Sequence, residues 1–328
     1  MNTLAISNIK NQISKRMINK FFNKSLVTVE SLMKEDIYFL FSKADEMKKL
    51  VEEKGGGERL EGKILAALFY EPSSRTFSSF ITAMQRLGGG IIPLNGMRNT
   101  SVDKGETLED TARVFSSYAD IIVLRHDKVG SAKIFANYAT VPVINAGDGS
   151  GEHPTQALLD AYTVSRHFES FTGLNVGLIG DLLYGRTVHS LAQILAKLGV
   201  KNFIFISPPT LRMPKEIGEK IESQNGQFTE TESLGEAMAK LDVIYMTRVQ
   251  KERFTNTSDY EKVKNAYVLD RELLNRAKKK AVIMHPLPRV TEIHPSVDSD
   301  PRSLYFKEQM RNGMYLRMAL LDLILNEQ

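Results

Sequence analysis

Ile64-Leu65-Ala66-Ala67-Leu68-Phe69-Tyr70 runs into the polar turn Glu71-Pro72-Ser73-Ser74-Arg75-Thr76 and then into Phe77–Leu87, whose apolar residues recur at helical spacing until Gly88-Gly89-Gly90. An unbroken apolar run of this length predicts a strand buried on both faces, and the three glycines end the helix that follows it. The same strand, loop and helix order recurs. Ile121–Leu124 precedes a helical pattern at Ala132–Tyr138, Val141–Ile144 precedes a helix from Pro154, and Val176–Ile179 precedes one from Thr187. Phe203–Ile206, Val243–Met246 and Val282–Met284 are further short runs between helical stretches. Upstream, Ile37, Leu40, Phe41, Ala44, Met47, Leu50 and Val51 predict a helix ended by Gly55-Gly56-Gly57, and Leu304–Leu325 predicts a terminal helix. Alternating β and α elements give an α/β fold with parallel sheets covered by helices on both faces. One open sheet rarely uses 328 residues, so the chain is expected to divide near the helix Pro154–Phe168, as two α/β halves joined by that connector.

The composition, 42% hydrophobic and 25% charged, is globular and excludes collagen, coiled coil and disordered chains. With no cysteine there is no disulfide, thiolate metal site or thiol nucleophile, and a reducing compartment is the natural setting. The formal net charge of +4 is not spread evenly. No acid precedes Glu30, while Lys10, Lys15, Arg16, Lys20 and Lys24 do, which leaves 38 basic against 39 acidic residues in the remainder, a net of −1. An electroneutral body argues against a nucleic-acid partner. The leader is amphipathic but richer in Lys than Arg, which favours an N-terminal arm over a transit peptide, and no stretch reaches the ~20 apolar residues of a membrane span.

Four strand-to-helix connections carry chemistry. Ser73-Ser74-Arg75-Thr76 places hydroxyls and a guanidinium at a helix start, where N–H groups and the helix dipole favour an anion such as phosphate. Capping alone would need one Ser. Asn145-Ala146-Gly147-Asp148-Gly149-Ser150-Gly151-Glu152-His153-Pro154-Thr155-Gln156 is a glycine-rich loop that delivers His153 and Gln156; by itself His153 reads equally as a satisfied structural histidine. Gly180-Asp181-Leu182-Leu183-Tyr184-Gly185-Arg186-Thr187 has the glycine spacing of a nucleotide phosphate loop, but Arg186 stands in the lysine position and Leu-Leu-Tyr fills the loop. Arg186 there suits a small carboxylate. Thr247-Arg248-Val249-Gln250-Lys251-Glu252-Arg253 and His285-Pro286-Leu287-Pro288-Arg289 follow two further strands; Arg248 and Gln250 are the ligand candidates, and Lys251, Glu252 and Arg253 read as a solvated turn. His126, His153 and His285 lie on separate loops without metal-ligand spacing, so no metal or other cofactor is expected.

Together with Leu124-Arg125-His126 and Tyr184-Gly185-Arg186-Thr187-Val188-His189-Ser190, these stretches resemble, in order and spacing, the catalytic chain of the aspartate carbamoyltransferase branch of the aspartate/ornithine carbamoyltransferase family, from about Leu26 to near the C-terminus. The resemblance implies two doubly wound α/β domains with parallel sheets, linked by helices. Their expected extents are a basic leader or arm at 1–25, a carbamoyl-phosphate-binding domain at 26–153, a linker helix and aspartate-binding domain at 154–303, and a C-terminal helix at 304–328 that packs back on the first domain. It implies transfer of the carbamoyl group of carbamoyl phosphate to L-aspartate, a step of pyrimidine biosynthesis, by a cytoplasmic homotrimer with shared active sites. Organellar targeting by the leader, and regulatory chains or pathway enzymes as partners, stay open.

Residue by residue, the resemblance gives Ser73, Ser74, Arg75 and Thr76 to the phosphate. It gives Thr76, Arg125 and His153 to the carbamoyl oxygen, and Gln156 to the carbamoyl amide. Ser101 and Lys104 would reach a neighbouring chain's site, Lys104 also touching aspartate. Arg186 would take the α-carboxylate, Arg248 and Gln250 the β-carboxylate, and Leu287 would offer its carbonyl. Two departures stand out: Ser74 where the family usually has Thr, and Phe77 where some members have Arg. Carbamoyl phosphate is already activated, so such an enzyme needs cations and orientation, with no covalent nucleophile or metal.

Overall fold

The computed structural model of the chain describes residues 19–249 and 256–327, so most of the basic leader, Gln250 and the turn Lys251-Glu252-Arg253 lie outside the described residues. The chain forms two compact units: unit 1 holds the described residues up to Leu158 and from Asn312 onward, and unit 2 holds Leu159–Arg311.

Unit 1 begins with α1 (Lys34–Lys54), which stops where Gly55 turns into the left-handed region at φ 76°. There follow β1 (Ile64–Phe69), α2 (Ser74–Arg86), β2 (Gly90–Asn95), α3 (Leu108–Ser116), β3 (Ile121–His126), α4 (Ser131–Tyr138), β4 (Val143–Asp148) and α5 (Pro154–His167), the helix through which the chain passes into unit 2. The sheet order is β2-β1-β3-β4, with every pair parallel. β2 has no counterpart among the sequence-predicted strands. It is an edge strand, only half covered, and so tolerates Gly90 and Pro93, whose missing N–H a central strand could not lose. β4 also runs further than the predicted Val141–Ile144, through Asn145-Ala146-Gly147-Asp148. Asn145 is fully buried there because its amide donates to the Val27 carbonyl (3.0 Å) and its Oδ1 accepts from Gly147 N–H (2.8 Å). Ala66, Leu68, Ile122, Leu124, Phe135 and Val143 form part of the apolar core on one face, and burying a side chain such as Phe135 contributes about 2–3 kcal/mol.

Unit 2 contains β5 (Asn175–Ile179), α6 (Arg186–Leu198), β6 (Asn202–Ile206), α7 (Lys215–Ser223), β7 (Gln227–Thr231), α8 (Leu234–Ala237), β8 (Val243–Met246), α9 (Thr257–Val263), α10 (Arg271–Leu274) and β9 (Val282–Met284). The order is β7-β6-β5-β8-β9, again parallel throughout. β7, Gln-Phe-Thr-Glu-Thr, is the second strand absent from the sequence reading, and it too is an edge. α11 (Glu308–Leu325) starts later than the predicted Leu304, because Ser303 pairs with Ile283 and Leu304 N–H donates to the Ile283 carbonyl (2.9 Å), burying Leu304 and Tyr305 beside β9.

From Asn312 onward α11 belongs to unit 1. There Arg59 meets the buried Asp322 at 2.9 Å, and Arg317 donates to Ser79 Oγ (2.8 Å) with its guanidinium 5.0 Å from the Phe80 ring centroid.

At the end of β5 the backbone of Gly180 adopts φ +114°, and a Cβ there would sit 2.4 Å from the Thr247 carbonyl oxygen. Gly180→Ala is therefore expected to lower unfolding free energy by roughly 3 kcal/mol, read as a shifted denaturant midpoint at unchanged slope.

Candidate active site

Because all strands in each sheet are parallel, their carboxyl ends lie along one edge, and ligands in open α/β sheets bind where the strand order reverses. In unit 1 the reversal falls between β1 and β3: the chain goes from β1 out to β2 and then returns to β3 on the other side. Phe69 and Arg125 are register partners at that point. The connection from β1 to α2 leaves from one side of this crevice, and Arg125, one residue before the end of β3, stands on the other. The Arg125 guanidinium pairs with Glu71 Oε2 (3.0 Å) and donates to the Ala146 carbonyl (3.3 Å), which holds it over the β1–α2 connection. Ser73 is the N-cap residue of α2, yet its side chain makes no capping bond, and the first turn carries no acid. Capping therefore does not account for this hydroxyl. Ser73 N–H donates to Asn95 Oδ1 at the end of β2 (3.1 Å), Ser74 and Arg75 are exposed, and Thr76 is buried in the first turn.

β4, next to β3, delivers the following loop. His153 is buried, and its carbonyl accepts from Gln156 N–H (3.0 Å) and Ala157 N–H (3.1 Å), so it caps the start of α5, with Gln156 buried one turn on. Ser101 and Lys104 occupy a short 3-10 turn after β2, shaped by Thr100, whose hydroxyl accepts from Val102 N–H (3.3 Å), and by Gly105 at φ 96°. Both side chains are exposed. The unit thus gathers Ser73, Ser74, Arg75, Thr76, Arg125, His153 and Gln156 on the connections at one sheet edge, while Ser101 and Lys104 stand on its surface.

Unit 2 repeats the device. Its strand order reverses between β5 and β8, whose ends Ile179 and Met246 are register partners. Thr247 knits the crevice: its hydroxyl donates to the Ile179 carbonyl (2.9 Å) and accepts from Asp181 N–H (3.0 Å). Arg186 opens α6 and is 8% exposed; Arg248, half-buried, follows β8. Gln250 is outside the described residues.

Leu287 follows β9, next to β8 in the sheet, at φ +55°. This conformation is braced by a chain of bonds that begins on α5. Tyr245 OH donates to the buried Asp160 carboxylate (2.6 Å), and burial, then the Asp160 charge, push the phenol well above its ordinary value. Gln309 bridges, donating to Asp160 (2.7 Å) and accepting from His285 N–H (3.1 Å). Leu287 N–H donates to His285 Nδ1 (2.7 Å), so the ring proton sits on Nε2 and is donated to Glu292 (2.7 Å). Glu292 also accepts from Val290 and Thr291 N–H (both 3.0 Å). Sequence reading singled out His285-Pro-Leu-Pro but missed Glu292, Gln309 and Asp160 as its supports, since nothing local links residues so far apart.

The carbamoyl-phosphate-binding domain of the aspartate/ornithine carbamoyltransferases matches residues 24–166, and their Asp/Orn-binding domain matches residues 172–324. The chain belongs to this carbamoyltransferase family. It is 49% identical over 302 residues to the aspartate carbamoyltransferase catalytic subunit of Thermococcus gammatolerans, covering 92% of this chain and 97% of that one. Among solved structures, aspartate transcarbamoylase of Trypanosoma cruzi in complex with carbamoyl phosphate and aspartate is similar with a TM-score of 0.90 at 40% identity, covering 94% of this chain and 99% of that one. The Methanocaldococcus jannaschii catalytic subunit is similar with a TM-score of 0.84 at 48% identity, covering 91% and 97%. The resemblance seen in the motifs therefore extends over both units of the carbamoyltransferase fold.

Burial alone would raise the Glu292 carboxyl, but the His285 donor and the backbone N–H groups outweigh it and hold its pKa below the ordinary 4.5. A carboxylate depressed in the folded state adds stability above its unfolded pKa that is lost as pH falls through the folded value. Glu292→Gln should therefore flatten the fall in thermal midpoint between about pH 5 and pH 3 while lowering the midpoint at neutral pH.

Proposed function

We propose that this chain is an aspartate carbamoyltransferase, transferring the carbamoyl group of carbamoyl phosphate to the α-amine of L-aspartate and releasing phosphate. The observation that carries the reading is the paired reversal of strand order. Unit 1 flanks its crevice with Ser73–Thr76 and Arg125, and unit 2 flanks its own with Arg186 and Arg248. Each is a cationic site for a small anion, in a chain whose body is otherwise electroneutral.

In this reading Ser73, Ser74, Arg75 and Thr76 hold the phosphate with the N-terminal dipole of α2 behind them. Arg125, His153 and Thr76 direct donors at the carbamoyl oxygen, where negative charge develops as the amine attacks, and Gln156 holds the carbamoyl amide. Arg186 takes the α-carboxylate of aspartate, Arg248 and Gln250 take the β-carboxylate, and the Leu287 carbonyl accepts from the amine. The nitrogen–carbon bond forms, the bond from carbon to the phosphate oxygen breaks, and the amine proton leaves with the phosphate. Bidentate arginines rather than a carboxylate pocket select a dicarboxylic amine over ornithine. Ser101 and Lys104, exposed on unit 1, serve the site of a neighbouring chain in a homotrimer.

Phosphate release with carbamoyl phosphate plus aspartate, and not with ornithine, is expected; no release with aspartate would sink the proposal. His153→Ala should lower kcat about 10²–10³-fold without abolishing turnover, as for loss of one oxyanion donor. Arg248→Ala should raise the aspartate KM by roughly 10–100-fold, the scale of a lost charged hydrogen-bonding partner. For the shared site, Arg75→Ala and Lys104→Ala chains, each inactive alone, should regain activity in mixed trimers. No recovery in hybrids verified by native mass would count against sharing.

A further inference from the structure

The segment joining the basic leader to α1 is bonded to the loop that carries His153. Edge strand β4 would leave its outer backbone groups unpaired, but Leu26 pairs with Ile144 in parallel. Leu26 N–H donates to the Val143 carbonyl and Asn145 N–H donates to the Leu26 carbonyl, both at 2.9 Å. Val143 N–H donates to Ser25 Oγ (2.9 Å), and the Asn145 side chain reaches the Val27 carbonyl (3.0 Å). Beyond the strand, both carboxylate oxygens of Glu152 are engaged by the next two residues: Thr28 Oγ1 donates to one (2.6 Å) and Val29 N–H to the other (2.8 Å). Glu152 N–H is held by Asp148 Oδ1 (2.9 Å), and Asp148 Oδ2 accepts from Gly130 N–H at the start of α4 (2.8 Å). The residue immediately before His153 is thus pinned through its side chain and its backbone. The other end of the segment is tied down too: Asn23 N–H donates to the Ile324 carbonyl (3.0 Å), and the Asn19 amide to the Leu323 carbonyl (2.8 Å).

We infer that Ser25–Val29 is a positioning element of the active site, in which Thr28 and Val29 clamp Glu152 and thereby aim His153. The inference rests on the assignment of His153 to the carbamoyl oxygen in the proposed reaction. A carboxylate suits the clamp because it accepts two bonds from donors on adjacent residues. The substitution Glu152→Gln keeps both, the amide carbonyl accepting from Val29 N–H and the amide N–H donating to Thr28 Oγ1.

The test compares Thr28→Val, Glu152→Ala, the double variant and Glu152→Gln in the full chain. Two readouts are followed: kcat with saturating carbamoyl phosphate and aspartate, and the imidazole resonance of His153, assigned by its loss in His153→Asn. Expected are a roughly tenfold or greater fall in kcat for Glu152→Ala, a smaller fall for Thr28→Val, and a double variant no worse than Glu152→Ala, since one clamp is cut either way. Glu152→Gln should recover kcat to within about threefold of the parent and leave the His153 resonance in place, while the other variants move it. Losses that add in the double variant, or an unmoved resonance with unchanged kcat in folded Glu152→Ala, would overturn the clamp. If the parent releases no phosphate with aspartate, the functional reading fails on its own. The resonance then decides the clamp: movement in Thr28→Val and Glu152→Ala with none in Glu152→Gln upholds it, and no movement overturns it.

Discussion

Parallel pairing is the constraint on which the rest of this molecule depends. A parallel ladder needs a crossover between neighbouring strands, so each strand is followed by a chain segment that must return over a sheet face, and here helices fill most of those segments. The central strands are thereby buried on both faces, and the carboxyl ends of each sheet fall on one edge of it. The order β2-β1-β3-β4 in one unit and β7-β6-β5-β8-β9 in the other then opens one crevice per sheet. The cations Arg75, Arg186 and Arg248 stand on segments that leave β1, β5 and β8, and Arg125 stands near the end of β3 itself; these are the strands flanking those crevices.

The ligand candidates are held in place by ion pairs and hydrogen bonds from neighbouring segments. Glu71 and the Ala146 carbonyl fix Arg125 on one side of its sheet, and Thr247 fixes the β5 and β8 ends in the other. His285 illustrates the logic: placed between Leu287 N–H and Glu292, it is confined to one tautomer and orients a backbone turn. The proposed chemistry needs orientation and a fixed field more than it needs a titrating group, and buried hydrogen-bond networks supply both.

Much of this was legible in the chain itself. Central strands such as Ile64–Phe69 and Val243–Met246 are covered on both faces and therefore read as continuous apolar runs. The edge strands β2 and β7 are only partly covered, which is why Gly-Ile-Ile-Pro-Leu-Asn and Gln-Phe-Thr-Glu-Thr went unseen, whereas the edge strands β4 and β9 are buried and carry the apolar runs that were read. The polar end of β4 escaped for the opposite reason: Asn145 and Asp148 find their partners on Val27 and Gly130, and no local pattern announces such bonds. The positive net charge belongs to the leader and not to the body that carries the ligand candidates.

By itself, then, the sequence determined the α/β class, the central strands and the loops that carry Ser73–Thr76, Arg125, His153, Arg186 and Arg248, because periodicity and strand-to-helix chemistry are local properties. Only the tertiary structure decided the strand order, and with it which loops become neighbours. It also decided that Glu152 meets Thr28 and that Asp160 supports His285 through Gln309. Those pairings join residues far apart in the chain, and they exist only once burial has removed water as the competing partner for each polar group.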